Sequence, residues 1–255
     1  MFNNCKIVLV RTQFAGNIGS TARVMKNLGF SKLVLVNPKA NHLDEEAKRL
    51  SCQGEDILTN ATKVDSIEAA VADCQYVAAT SCQAKGLVRD TISRPIRNTA
   101  KDLSQEINRS QSALIFGPES SGLTTNEISI CNLLIKIPTS EDYPALNLAM
   151  AAGIVLYEIK MASLETESPS TDNKELATWQ MQQKAFDSLK SSLEEIRFLF
   201  SNKSKTLFNG IKNMISRSNP TTQEMKWLIG LNRQIKWHQL NKNPETKYPN
   251  HPPQP

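Results

Sequence analysis

Residues 114–158, LIFGPESSGLTTNEISICNLLIKIPTSEDYPALNLAMAAGIVLYE, decide the fold. Two apolar runs, Leu114–Phe116 and Leu133–Ile137, each end in a loop of small or polar residues, and a long apolar helix follows the second. Strands that are apolar without alternation are covered on both faces, the habit of a parallel sheet, and such sheets bind ligands at their carboxyl ends. The first loop, Gly117-Pro118-Glu119-Ser120-Ser121-Gly122-Leu123, has glycines where the backbone must approach something closely, with one carboxylate between them. The second, Pro138–Pro144, delivers Ala145-Leu146-Asn147 to the mouth of the helix, where Asn147 suits a cap.

Upstream the same grammar repeats. Lys6–Val10 reads as a buried strand, Ser20–Leu28 as a helix stopped by Gly29, and Lys32–Val36 as a second strand closed by Asn37-Pro38. Strand, helix and strand in this space form a βαβ unit, so an α/β fold with a parallel sheet is expected. Asn17 falls just before the helix, and Arg23 and Asn27, four residues apart, share one face. These three residues are open to two readings, a site at one end of the unit or a cap followed by a solvated surface. No G-x-G-x-x-G fingerprint and no G-K-[ST] loop occurs in the chain, which weighs against dinucleotide and P-loop nucleotide binding. Residues 44–75 show helical periodicity in pieces and a strand-like Ile57-Leu58. Tyr76–Thr80 is the next buried strand, ending in Thr80-Ser81-Cys82, and the basic stretch beyond it carries Lys85, Arg89, Arg94 and Arg97. Such a stretch suits phosphate steering, although an exposed loop also accommodates four cations without any function.

With 255 residues the chain can bury a sizeable core and hold a main domain with a smaller one. No run of 18 apolar residues occurs, and the start lacks the apolar region of a secretory signal, so a soluble cytoplasmic protein with no membrane partner is expected. The five cysteines are scattered, with no C-x-x-C spacing, and indicate neither a disulfide framework nor a zinc site. Residues 1–164 carry 17 Lys+Arg against 16 Asp+Glu, whereas residues 165–255 carry 13 against 9, so most of the net charge of +5 lies in the last third. That bias favours an anionic partner, nucleic acid before membrane. The expected organisation is a catalytic domain over residues 1–164, a polar linker over 165–174, a helical extension over 175–243 and a disordered proline-rich tail over 244–255. The extension reads as three helices, at residues 175–200, 205–216 and 221–241, with Trp179, Phe186, Leu189, Leu193, Ile196, Trp227, Leu228, Leu231 and Ile235 expected in its core.

Three ordered motifs are similar to those of the SPOUT-class RNA ribose 2′-O-methyltransferases, and within that class to the TrmJ-type tRNA (cytidine/uridine-2′-O-)-methyltransferases. They are Asn17-x-Gly19-x-x-x-Arg23-x-x-x-Asn27, then Phe116-Gly117-x-Glu119-x-x-Gly122-Leu123, then Ile137-Pro138 leading to Leu146-Asn147-x-Ala149-x-Ala151. The resemblance covers residues 5–160 strongly and the helical tail weakly. It implies a SPOUT-type sheet with a trefoil knot at the end of the catalytic domain, which sheet rules alone would not suggest. It also implies a homodimer paired through the last helix of that domain and the motif-one helix, and a helical RNA-binding extension. S-adenosylmethionine would be the methyl donor, without a metal, and tRNA the partner. The implied reaction is methylation of the ribose 2′-hydroxyl of a pyrimidine at nucleotide 32 of the anticodon loop. By resemblance Thr80, Ser81, Cys82, Gly117, Ile137, Pro144, Ala145 and Leu146 would line the donor site, and Arg23, Asn147, Glu119 and Asn17 would be the catalytic set, with Glu119 and Asn17 fixing Arg23.

The chain departs from the TrmJ-type pattern in having Ala145-Leu146-Asn147 where relatives usually have Ser-Leu-Asn, and in having Gln83 and Lys85 where they are richer in arginine. Other readings are a 2′-O-methyltransferase acting elsewhere on tRNA or on ribosomal RNA, a weakly active RNA-binding relative, and a small-molecule α/β enzyme that uses a nucleotide.

Overall fold

The computed structural model describes residues 2–81, 93–165, 175–199 and 204–240. These fall in two compact units, residues 1–173 and 174–255.

The first unit is built on a seven-stranded sheet of β1 (Cys5–Val10), β2 (Lys32–Val36), β3 (Thr62–Val64), β4 (Tyr76–Thr80), β5 (Ser93–Pro95), β6 (Ser112–Phe116) and β7 (Leu133–Lys136). The spatial order is β3-β2-β1-β6-β4-β7-β5 and every pairing is parallel. Ile7, Val8, Leu9 and Val10 are fully buried, as are Ala113, Ile115 and Phe116, because helices cover both faces. Register places Leu9 beside Phe116 and Ala79 beside Ile115, so β1, β4 and β6 end at one level. All carboxyl ends therefore open on the same side.

The helices of this unit are α1 (Ala15–Leu28), α2 (Glu45–Ser51), α3 (Glu55–Thr59), α4 (Ile67–Val71), α5 (Ile96–Arg109), α6 (Thr125–Ile128) and α7 (Leu148–Glu165). Helix α1 begins at Ala15 rather than at Ser20, so Asn17 lies inside its first turn and does not cap it; the capping position is Phe14, without a side-chain bond. Gly29 stops the helix in a left-handed conformation, φ 82°. The expected strand character of Ile57-Leu58 is wrong: the pair is buried in α3, since two apolar residues are too few to separate strand from helix. Edge strands β3 and β5, three residues each, were not foreseen, nor was α5, whose Ile96, Ala100, Leu103 and Ile107 form a buried stripe. Arg97 thus belongs to a helix and pairs with Glu158 of α7 at 2.9 and 2.6 Å, not to a basic loop. Lys85 and Arg89 lie outside the described residues.

The second unit comprises α8 (Trp179–Glu195), α9 (Ser204–Ser216) and α10 (Thr222–Leu240), with Phe186, Leu189, Leu199 and Phe208 in one apolar cluster and Ala177, Ala185 and Met225 in another. Thr178 caps α8 by accepting from Met181 N–H. Three residues expected in this core face outward instead: Ile196, past the end of α8, is 42% exposed, and Trp227 and Leu231 are 65% and 57% exposed. Met225 and Leu228 occupy the inward face of α10, which turns Trp227 and Leu231 away. Apart from Glu165, which ends α7, the expected linker and tail lie outside the described residues.

No helix among the described residues is long and apolar enough to cross a membrane.

Candidate active site

Strands β4, β6 and β7 deliver Thr80, Phe116 and Ile135 to the floor of a crevice of about 780 Å³, counted with its open mouth. Thr80, Ser81, Gly117, Ile137, Pro144, Ala145 and Leu146, seven of the eight residues expected around the methyl donor, line it together. The eighth, Cys82, lies outside the described residues. The walls combine small residues such as Ser81, Gly117 and Ala145 with apolar Leu123, Ile137 and Leu146, a mixture that suits a nucleoside-sized ligand with polar edges and apolar faces.

The loop after β6 owes its shape to two glycines. A Cβ on Gly117 would sit 2.7 Å from the Leu123 nitrogen and 2.8 Å from the Gly122 carbonyl carbon, because the loop folds back on its own start. Gly122 has φ 63°, a left-handed conformation that suits glycine. Thr124 and Glu127 then close the loop with a capping box on α6.

Asn147 heads α7. Its Oδ1 accepts from Ala149 N–H at 2.9 Å and Met150 N–H at 3.3 Å, as a cap should. With that oxygen committed, its Nδ2 donates to Asn17 Oδ1 at 2.9 Å, and Asn17 Nδ2 in turn donates to Glu119 Oε1 at 2.7 Å. The helix start therefore fixes the orientation of both amides, and three of the four expected catalytic residues form one directional relay, Asn147 to Asn17 to Glu119. Glu119 Oε2 also accepts the backbone N–H of Gln13 at 3.1 Å. One Nδ2 hydrogen of Asn147 is left over and points where the side chain is exposed.

Arg23 is placed differently. It is exposed on α1, two turns beyond Asn17, and makes no hydrogen bond or ion pair with Asn17, Glu119 or Asn147. The expectation that Glu119 and Asn17 hold its guanidinium is not met within one chain, since those two bind each other. Asn27 shares its exposed face. Gly19 and Gly54 hold the helix from behind: a Cβ on Gly19 would lie 2.1 Å from the Ala47 carbonyl oxygen, and one on Gly54 would lie 2.8 Å from that of Ala22. Backbone contact on that side aims Arg23 and Asn27 outward.

Two residues of this neighbourhood were missed. Arg11, at the end of β1, forms a two-pronged bond with Glu127, the Nη2–Oε2 distance being 3.1 Å, and Gln13 Nε2 donates to Ser120 Oγ at 2.9 Å. Their partners lie more than 100 positions away, and no periodicity signals such a pairing. Burial would raise the Glu127 carboxyl, but the Arg11 and Thr124 hydrogen bonds outweigh it and hold the group below the ordinary range. Burial pushes the thiols of Cys74 and Cys131 up to about 12, so neither is a nucleophile near neutrality. Among the described residues no three His, Cys, Asp or Glu side chains are grouped to hold a metal.

Known proteins resemble this chain in sequence and fold. A family model described as the SpoU rRNA Methylase family matches residues 4–157. The tRNA (cytidine/uridine-2′-O-)-methyltransferase TrmJ of Sodalis glossinidius (strain morsitans) is 34% identical over 252 residues, covering 98% of this chain and 96% of that protein. The crystal structure of TrmJ from Z. mobilis ZM4 has the same fold, with a TM-score of 0.75 at 24% identity over 91% of this chain and 98% of that one. An AdoMet-bound rRNA methyltransferase from Sinorhizobium meliloti matches at a TM-score of 0.51 and 23% identity, over 64% of this chain and 57% of that one. With the family model spanning more than half of the chain and a relative aligned along nearly all of it, the chain belongs to the SpoU rRNA methylase family of methyltransferases.

Proposed function

We propose that this protein transfers a methyl group from S-adenosylmethionine to the ribose 2′-hydroxyl of a pyrimidine at nucleotide 32 in the anticodon loop of tRNA. The observation that carries the reading is the meeting of three strand ends and a helix start in one crevice, beside the Asn147–Asn17–Glu119 relay. The TrmJ name of a nearly full-length relative supports tRNA as substrate, and the AdoMet-bound relative of the same fold supports the donor. The donor, when bound, supplies a methyl group on a sulfonium centre. Thr80, Ser81, Gly117, Ile137, Pro144, Ala145 and Leu146 would surround it, with Cys82 at the next position.

The protein's task is alignment and charge, since the attacking hydroxyl must lose its proton as the new bond forms. A guanidinium is a poor base near neutrality but a strong, fixed donor to phosphate and oxyanion. Arg23 anchors a phosphate, orients the hydroxyl and stabilises the charge that develops on its oxygen. Asn147 gives its remaining N–H to a sugar oxygen, while Asn17 and Glu119 hold that amide in place.

Homodimer formation belongs to the same reading. Helix α7 leaves Met150, Ile154, Tyr157 and Leu164 exposed at spacings of four, three and seven, one continuous apolar stripe. Pairing through α1 and α7 would cover it and bring Arg23 of one subunit to the crevice of the other. The trefoil knot is part of the proposal too, supported by β6 lying between the earlier strands β1 and β4. So are the division into a catalytic domain and an RNA-binding extension, and a cytoplasmic location.

Incubation with labelled S-adenosylmethionine and bulk tRNA, followed by mapping of the modified nucleotide, tests the reading. A 2′-O-methylated pyrimidine at nucleotide 32 is expected; label only at another tRNA position, or label only in a parallel incubation with ribosomal RNA, would overturn the assigned target. A second reading, a weakly active RNA-binding relative, rests on Ala145, which brings no hydroxyl to the crevice. It predicts RNA binding without label.

A further inference from the structure

The segment between β1 and α1 grips the loop that frames the crevice at both of its ends. At the far end, Glu127 Oε2 accepts Thr124 N–H at 2.7 Å, and the same carboxylate takes both prongs of Arg11. At the near end, Gln13 donates its backbone N–H to Glu119 and its side-chain amide to Ser120. Between these holds lie Ser121, Gly122 and Leu123, which share the crevice wall with Gly117 and Glu119, whereas Arg11 and Gln13 are not on it.

The Arg11–Glu127 pair is more than a surface contact. The two side chains are only 34% and 18% exposed, the geometry is two-pronged, and the carboxylate is also bound by the backbone it caps. Arg11 sits at φ 49°, a conformation that a non-glycine residue adopts only at some cost, and its backbone N–H is held by the Val36 carbonyl at 2.8 Å. The turn off the sheet is therefore fixed, and with it the place from which the guanidinium reaches. Without this hold, a loop containing Gly117 and Gly122 has many conformations, and a ligand would have to order it.

We infer that Arg11 is a positioning residue for the methyl-donor loop, acting through Glu127 to hold residues 117–124 in their binding shape before the donor arrives, with Gln13 holding the other end. The inference rests on the proposed assignment of the crevice to S-adenosylmethionine. Arg11 does not line the crevice, so its removal should lower affinity for the donor and spare the chemical step.

The test uses the full-length chain and three variants, Arg11→Gln, Arg11→Lys and Glu127→Gln. Glutamine at 127 still accepts Thr124 N–H through its one oxygen, so that variant keeps the cap and loses the charge and one of the two acceptors facing Arg11. The dissociation constant of S-adenosylhomocysteine is measured by calorimetry, and kcat and the donor KM are measured with tRNA. Arg11→Gln and Glu127→Gln should each raise the dissociation constant and the donor KM about tenfold, the scale on which preorganisation acts, with kcat at saturation within about twofold of wild type. Arg11→Lys should recover part of the loss, and the double variant Arg11→Gln/Glu127→Gln should be no weaker than either single one, because both remove the same contact. Unchanged affinity with a lowered melting temperature would make the pair merely structural and overturn the inference, as would losses that multiply in the double variant. If the wild-type chain does not bind S-adenosylhomocysteine, the crevice assignment fails and the inference falls with it, a result distinct from equal binding by wild type and variants.

Discussion

At the scale of single residues, Asn147 ties the start of α7 to the residues proposed for the reaction. Its oxygen is consumed by the start of α7 and its nitrogen by Asn17, so the two halves of the amide can be tested separately. Asn147→Asp keeps an acceptor for the helix N–H groups and adds a favourable charge at a helix start, but has no hydrogen to give. It also loses the bond to Asn17 Oδ1, so we expect its melting temperature to fall between those of wild type and Asn147→Ala while methyl transfer is lost. Asn147→Ala should lose transfer as well, and about 1 kcal/mol of stability with the cap. Denaturant unfolding alongside a transfer assay separates the two; normal transfer by Asn147→Asp would remove the donor role from the mechanism. The cap at Asn147 was legible because a lone amide before an apolar helix has a local meaning. The relay was not, because it joins residues 17, 119 and 147 through space; local spacing leaves Asn17 open between a cap and a site, and the resemblance ties it to Arg23. Motif resemblance named these residues together; only the fold showed which of them touch.

At the scale of elements, runs such as Lys6–Val10 and Tyr76–Thr80 were readable because a strand buried on both faces is apolar throughout, whereas three-residue edge strands such as β3 and β5 carry too little pattern. The stripe of α5 is present in the sequence, but Arg97 in its first turn continues a series of cations that begins at Lys85 and so reads as part of a loop. The join between β1 and the loop after β6 has a pH signature of its own. The folded carboxyl of Glu127 titrates below its ordinary value of 4.5, so the stabilisation it provides is complete above that value and is lost as pH falls through the lower folded one. The stability difference between wild type and Glu127→Gln should accordingly be flat from neutrality down to about pH 5 and shrink below it. Urea unfolding across that range checks this; a difference that grows on acidification would contradict the sign.

At the scale of the whole molecule, the exposed position of Arg23 is the feature a single chain leaves unexplained. In a two-fold dimer paired through α1 and α7, each crevice would take its Asn147 from one subunit and its Arg23 from the other. Arg23→Ala alone should then cut transfer by about 10²–10³-fold or more, with S-adenosylhomocysteine affinity within about twofold, since the residue stabilises developing charge and not the donor. Arg23→Ala and Asn147→Ala should each be inactive by themselves, yet mixing them after dissociation and reassociation would give dimers with one site in which both residues are intact. Half the dimers would be mixed and each would have one working site of two, so about a quarter of wild-type turnover should return. If Arg23 serves its own subunit, every site in the mixed dimer lacks one residue and nothing returns. The apolar stripe on α7 provides the control: Ile154→Lys, a change on an exposed face, should leave the fold intact and prevent pairing. Mixtures carrying it in both subunits should stay inactive and sediment as monomers. Activity from Ile154→Lys monomers would place the whole site, Arg23 included, within one chain.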